Sequence, residues 1–251
     1  MRMTFIKWQG KTHAALLLAD GAALLEGPFG AWERTGEVIP LEEAETVCMF
    51  PPSKVVAVGL NYRQHIEEMG EETHDDPVLF LKPTSAVIGP GEAIVLPPQS
   101  EQVDFEAELA VVIKKQAKNI TPEQAEEYIL GYTCLNDVTA RDLQKKDGQW
   151  TRAKGFDTFC PIGPVITDEI NPNRVEVKLI QNGTVMQRGN TSMFLVPVQK
   201  LVSYISSVMT LLPGDVITTG TPSGIGPMHV GDTISVEIEG IGTLTNPVRN
   251  A

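Results

Sequence analysis

The stretch VDFEAELAVVI, residues 103–113, decides how this chain is read. Asp104, Glu106 and Glu108 recur at every second position, the spacing that puts side chains on one face of a β-strand. Val111, Val112 and Ile113 then continue apolar on both faces, as in a strand covered on both sides. An isolated E-x-E is most simply the solvated face of an edge strand. A buried continuation changes that, because neighbouring carboxylates repel each other in a low-dielectric site unless a cation pairs with them.

Working outward, KVVAVGL (54–60), VLFLKP (78–83) and EAIVLPP (92–98) also read as strands, rich in β-branched and apolar residues and bounded by Gly or Pro. Between the first two, NYRQHIEEMGEETHDDP (61–77) reads as a short helix with Asn61 as its N-cap, followed by an acidic loop. TPEQAEEYILGY (121–132) has the Thr-Pro start and closing glycine, Gly131, of a capped helix. The later chain is extended again: YTCLND, FCPIGPVI, VEVKLIQNGTVMQRG with an Asn182-Gly183 hairpin turn, DVITTGTP and DTISVEIEGIGTLTNPV. One helix interrupts it, over 198–211, with Leu201, Val202, Ile205, Val208 and Met209 on one apolar face. Strands in runs rather than in βαβ alternation indicate a β-rich α+β fold.

The first fifty residues form hairpin-sized strands around FIKW, HAALLL and AALLEG, then a helix-prone acidic piece, LEEAETVC. The prolines of MFPPSK (49–54) continue neither a helix nor a central strand, so the expected domains are a small β-rich unit over 1–52 and a larger one over 53–251.

Composition narrows the function classes. The chain has 251 residues, 42% hydrophobic and 21% charged, and no apolar run near the length that spans a bilayer. Cys48, Cys134 and Cys160 are odd in number and widely spaced, which argues against a disulfide framework or zinc knuckle and for a reducing cytoplasm. The lack of a long apolar run argues against a membrane protein, and a net charge of −12 with scattered basic residues makes nucleic acid a poor partner. It also repels a free anionic substrate, so an acid ligand requires a local reversal of the field.

Asp137 ends the strand-like run YTCLND, where ligands and catalytic groups commonly sit, although an Asx-turn explains it as well on local grounds. Three carboxylates, Glu106, Glu108 and Asp137, are an all-oxygen set suited to Mg²⁺ or Mn²⁺, or to Ca²⁺ in a looser cage. Asp104 is assigned to a supporting or surface position. His65 and Glu68 stand at i, i+3, so the carboxylate can fix the imidazole tautomer, as a general base near neutral pH requires; a lone solvated histidine is the simpler alternative. TARDLQKKDGQWTRAKGFDTF supplies Arg141, Gln144 and Lys154, while Lys145 and Lys146 read as solvated. TTGTPSGIGP, with Thr221 at its turn, is wrongly spaced for a phosphate loop and suits close approach of backbone to a small ligand.

Taken together, GLNYRQHIEE, PVLFLKP, DFEAELAVVI, LNDVTARDLQ, TRAKGFDTFCPIGP and TTGTPSGIG resemble the fumarylacetoacetate hydrolase family over 53–250, in particular its smaller bacterial and mitochondrial members. The resemblance implies a mixed β-sandwich roll, a homodimer, and Mg²⁺ or Mn²⁺ held by Glu106, Glu108 and Asp137. It implies that the helix carrying His65 and Glu68 closes over a 2-oxo acid substrate, with that pair activating water. Arg141, Gln144, Lys154 and Thr221 match positions that bind the substrate's carboxylate and keto oxygens, with Lys154 counted among the catalytic groups.

On that basis the expected activity is metal-dependent C–C bond hydrolysis of an acylpyruvate or fumarylpyruvate in aromatic compound catabolism, through a metal-stabilised enolate. The alternative is an isomerase or decarboxylase of 2-oxo diacids, acting on 2-hydroxyhepta-2,4-diene-1,7-dioate or oxaloacetate. More remote is a non-catalytic calcium-binding module.

Overall fold

The computed structural model describes residues 1–47, 51–70 and 76–251. Ten strands form the main path of the largest sheet, in the order Glu33–Ile39, Ala22–Glu26, Lys11–Leu17, Arg2–Trp8, Cys160–Thr167, Ile129–Asn136, Ala107–Ile113, Val216–Thr218, Val55–Gly59 and Val78–Lys82. Neighbours along it are antiparallel except Val216–Thr218 and Val55–Gly59, which run parallel, so the sheet is mixed. A five-stranded sheet, from Thr184–Asn190 through Glu176–Gln181, Thr233–Ile238 and Gly242–Asn250 to Ile94–Leu96, supplies the second layer. The α+β, strand-rich sandwich expected from the sequence is the observed architecture.

Apolar side chains from both layers share one core, with Leu109, Val111 and Cys134 of the first and Val177, Leu179, Val236 and Leu244 of the second. All seven residues of Ala107–Ile113 are buried, which is why that strand carries an unbroken apolar run instead of an alternating one. Val198–Val208 forms the expected amphipathic helix and buries Leu201, Val202 and Ile205. It ends three residues earlier than the sequence pattern suggests, because Leu211 leaves the helix to pair with Ala117.

The N-terminal strands continue the large sheet: Arg2 and Met3 pair with Thr167 and Ile166. A separate small cluster, Ile6, Ala15, Ala22, Leu24 and Ile39, packs on them. The acidic piece expected to be helical is instead a 3₁₀ turn, Leu41–Glu43, followed by the strand Glu45–Val47; the turn buries nothing, while the strand pairs with Phe5, Ile6 and Lys7. Cys48 and the first two residues of the 49–54 boundary segment lie outside the described residues.

Two further local expectations are corrected. Residues Pro122–Tyr128 form a 3₁₀ helix, and Gly131 belongs to the strand Ile129–Asn136. Its glycine serves close strand approach, since a Cβ there would stand 2.8 Å from the Thr167 carbonyl oxygen. Asn61 does not cap the helix Arg63–Met69, which starts after Tyr62. Its amide instead donates to the carbonyls of Val196 and Thr219 at 3.1 and 2.8 Å and accepts from Val196 N–H at 2.9 Å, tying three segments together.

Candidate active site

The acidic stretch is two strands, not one. Val103–Phe105 pairs with Thr139–Ala140 and Gly226–Pro227, whereas Ala107–Ile113 enters the large sheet, so Glu106 stands at the joint. Side chains meet the hydrogen-bonding needs of the broken ladder. Glu106 N–H donates to Asn136 Oδ1 and Ala107 N–H to Gln187 Oε1, each at 2.9 Å, and Glu106 O accepts from Asp137 N–H at 2.9 Å. This joint fixes Asp137, at the end of its own strand, beside Glu106. One oxygen from each of Glu106, Glu108 and Asp137 lies within 4.8 Å of the others, and all three residues are buried.

Three buried cations surround these carboxylates. Lys154 Nζ donates to Asp137 Oδ2 at 2.6 Å and Glu106 Oε2 at 3.0 Å. Arg141 donates to Asp104 Oδ2 at 2.8 Å, to Glu106 Oε1, and to Gln144 Oε1 at 2.6 Å. Lys82, wholly inaccessible, donates to Asp137 Oδ1 and to the Val138 carbonyl at 3.1 Å. Asp104 is thus a partner of Arg141 and stands outside the three-carboxylate cluster, as its sequence position suggested.

The electrostatics split the two glutamates. Burial pushes the Glu106 carboxyl up, but Lys154 and Arg141 outweigh it and hold the group below the ordinary carboxylate range. Glu108 goes the other way, because burial and the charges of Asp137 and Glu106 all raise it. Its Oε2 accepts from Gly220 N–H at 2.7 Å, and no side-chain cation bonds it among the described residues. Gly220 holds φ +92°, and a Cβ there would come 2.9 Å from the Asn61 Cβ, so only glycine brings this N–H to Glu108.

The remaining candidates converge on the same place. His65 is buried at 6% exposure, not solvated, and its Nδ1 is 3.1 Å from Glu68 Oε2. Glu68 Oε1 in turn accepts from Gly224 N–H at 2.9 Å, which fastens the Arg63–Met69 helix to the glycine-rich loop. With Nδ1 engaged, Nε2 is the ring nitrogen left to exchange a proton. The Thr221 hydroxyl donates to Ala107 O at 2.9 Å and accepts from Gln187 Nε2 at 2.9 Å, locking that loop against the Glu106 joint.

A cavity of about 270 Å³ is lined by His65, Glu106, Glu108, Asp137, Arg141, Gln144, Lys154 and Thr221. Its other wall is apolar: Val58, Leu60, Met69, Phe80 and Trp150, with the Phe80 and Trp150 rings in edge contact at 5.2 Å. The residues named from the sequence as metal ligands, catalytic groups or substrate contacts therefore meet here, Glu68 through His65. Residues 71–75 of the adjoining acidic loop lie outside the described residues.

Sequence reasoning passed over Lys82, Gln187, Phe80 and Trp150, and Lys145, read as solvated, is exposed but also lines the cavity. Only Lys82 left a trace, as a lysine closing the apolar strand Val78–Lys82. Gln187 sits in a hairpin whose neighbours are exposed, and nothing local marks it as buried.

The oxygen-only donor set suits a hard divalent ion, and a raised carboxyl among buried acids is the condition that such an ion relieves. With all four buried carboxylates ionised, three buried cations leave one negative charge unmatched, so a bound divalent cation would turn the site net positive and receptive to an anion. The residues present thus fit the expected cation.

Comparison with known proteins gives a consistent picture. The family described as Fumarylacetoacetate (FAA) hydrolase C-terminal matches residues 54–249. A solved structure of 5-carboxymethyl-2-hydroxymuconate delta-isomerase from Mycobacterium smegmatis is 47% identical, with a TM-score of 0.93 over the whole of both chains. A 2-hydroxyhepta-2,4-diene-1,7-dioate isomerase from Mycobacterium marinum is 46% identical with a TM-score of 0.92, covering all of this chain and 98% of that one. The human mitochondrial oxaloacetate tautomerase FAHD2A is 41% identical over 244 residues, 92% of this chain and 78% of that protein.

Proposed function

The chain belongs to the fumarylacetoacetate hydrolase family, whose members are enzymes, and we propose that this one is an isomerase or tautomerase of 2-oxo diacids. It relocates a proton on the carbon beside the keto group. The observation that carries this reading is the standing of His65. Among the described cavity residues it is the one imidazole, while Lys154, Arg141, Glu106 and Asp137 are tied in ion pairs with one another.

A proton relocation needs one carrier that collects the proton and returns it elsewhere on the same ligand. His65, held in one tautomer by Glu68 and anchored through Gly224, is placed for this work. Arg141 and the free amide hydrogens of Gln144 bind the carboxylate of the 2-oxo acid end, and Lys154 stabilises negative charge on the keto oxygen. Trp150, Phe80 and Met69 exclude water from the carbon being deprotonated. Glu106, Glu108 and Asp137 would hold a divalent cation, which when bound would supply Lewis acidity to make the keto group an electron sink.

The names of the similar proteins favour this alternative over C–C hydrolysis, which the sequence had put first. Hydrolysis needs the same pair to activate a water as well. The test follows both reactions with Mg²⁺: ketonisation of enol oxaloacetate by loss of its ultraviolet absorbance, and cleavage of acetopyruvate. Ketonisation should run far above the buffer rate and fall about 10²–10⁴-fold in His65→Ala, the usual contribution of a general acid–base group. Rapid cleavage of acetopyruvate with enol decay at the buffer rate would return the assignment to a hydrolase.

A further inference from the structure

Lys145 lines the cavity and takes no part in the chemistry above. It lies on the helix Arg141–Asp147, where residues 141, 144 and 145 fall on one side, and it is exposed where Arg141 and Gln144 are buried. It therefore stands at the cavity mouth, one helical turn from the group assigned to the 2-oxo acid end. Among the described residues the Lys145 side chain has no hydrogen bond or ion pair, whereas both other lining cations, Arg141 and Lys154, are paired with buried carboxylates. Lys146 beside it is also exposed and does not line the cavity.

Among the described residues the other side chains of the mouth, Val58, Leu60, Met69, Phe80 and Trp150, carry no charge to pair with a second anionic group. A chain with net charge −12 repels a dianion more strongly than a monoanion, so taking a diacid requires a second local cation besides those at the buried end. One helical turn rises about 5.4 Å, a span that a few carbons between two carboxylates can match, and the long flexible lysine stem adjusts the remainder.

We propose that Lys145 receives the distal carboxylate of a dicarboxylic 2-oxo acid and makes this cavity select diacids over 2-oxo monoacids of the same length. The proposal rests on the reading of the site as a 2-oxo acid site. Lys145 acts on specificity alone and touches no reacting atom.

The test compares two ligands that differ only at the far end, 2-oxoglutarate and 2-oxopentanoate, binding to the Mg²⁺-loaded full-length protein by calorimetry. The parent should bind the diacid about 5–10-fold more tightly, the range of a partly exposed charge-assisted hydrogen bond. Lys145→Gln should bring the ratio near one, Lys145→Glu should invert it, and Lys146→Gln, with the same change of net charge, should keep the parent ratio. kcat/KM for oxaloacetate should fall in Lys145→Gln by the factor lost in the ratio. A collapsed ratio in an enzyme that tautomerises neither oxaloacetate nor its enol supports Lys145 and removes the tautomerase reading. An unchanged ratio in Lys145→Gln, an equal collapse in Lys146→Gln, or no binding of either ligand overturns the proposal.

Discussion

Replacing Lys82 by Met tests the charge balance of the buried site more directly than removing any carboxylate. The Nζ of Lys82 is wholly inaccessible and holds Asp137 Oδ1 and the Val138 carbonyl. Methionine fills nearly the same volume, so the loss is one of charge and hydrogen bonding rather than packing. Removing one partner of a buried ion pair costs about 3–5 kcal/mol. Asp137 keeps Lys154 on its other oxygen at 2.6 Å, which places the cost at the lower end.

For a chain of this length a loss of about 3 kcal/mol lowers the melting temperature by roughly 6–12 °C. That deficit applies in EDTA. Without Lys82 the cluster holds two unmatched negative charges instead of one, so Mg²⁺ gains attraction and its binding recovers part of the lost stability. The Tm rise on adding saturating Mg²⁺ should therefore be larger in Lys82→Met than in the parent. Calorimetric melts of both proteins with EDTA and with Mg²⁺ decide it. Equal Mg²⁺ increments would refute the charge-balance argument, and a variant within about 2 °C of the parent in EDTA would refute the ion-pair estimate.

Gly59→Ala places a Cβ 2.8 Å from the Trp150 ring and pushes that side chain off the cavity wall; KM should rise several-fold, with about 1–3 kcal/mol lost in denaturant melts from overpacking. Gln187→Leu leaves Ala107 N–H without its acceptor and frees the Thr221 loop, so stability should fall by about 2–4 kcal/mol. Mg²⁺ affinity by calorimetry should weaken with it, and parent-like affinity would show that the Glu106 joint does not depend on this residue. The Cys134 thiol, fully buried and pushed up to about 12 chiefly by burial, should stay unmodified by iodoacetamide at pH 8 and react only in urea. Peptide mapping that finds native Cys134 alkylated within minutes would contradict this.

Much of the site was legible because its signals are local. The alternation of Asp104, Glu106 and Glu108, the i, i+3 placement of His65 and Glu68, and the position of Asp137 at a strand end are set by backbone periodicity, which sequence spacing encodes. The β-rich fold was legible for the same reason. Single-residue detail was not. Asn61 looks like a helix cap and Gly131 like a helix stop, because each is the right residue type in the right local pattern; both instead serve segments distant in sequence.

The sequence by itself determined the donor chemistry: which carboxylates and which imidazole are candidates for one site, and which strands supply a core. The tertiary structure decided the balance among them. Only folding breaks VDFEAELAVVI at Glu106, because the hydrogen bonds that make the break tolerable come from Asn136 and Gln187, thirty and eighty-one residues from Glu106 along the chain. Only folding brings Lys82 beside Asp137 and leaves Glu108 as the acid without a cation, since pairing over such separations follows from sheet order rather than from any local period. Charge is written in the sequence, but whether it is matched depends on distance in space, where Coulomb energy and desolvation are set.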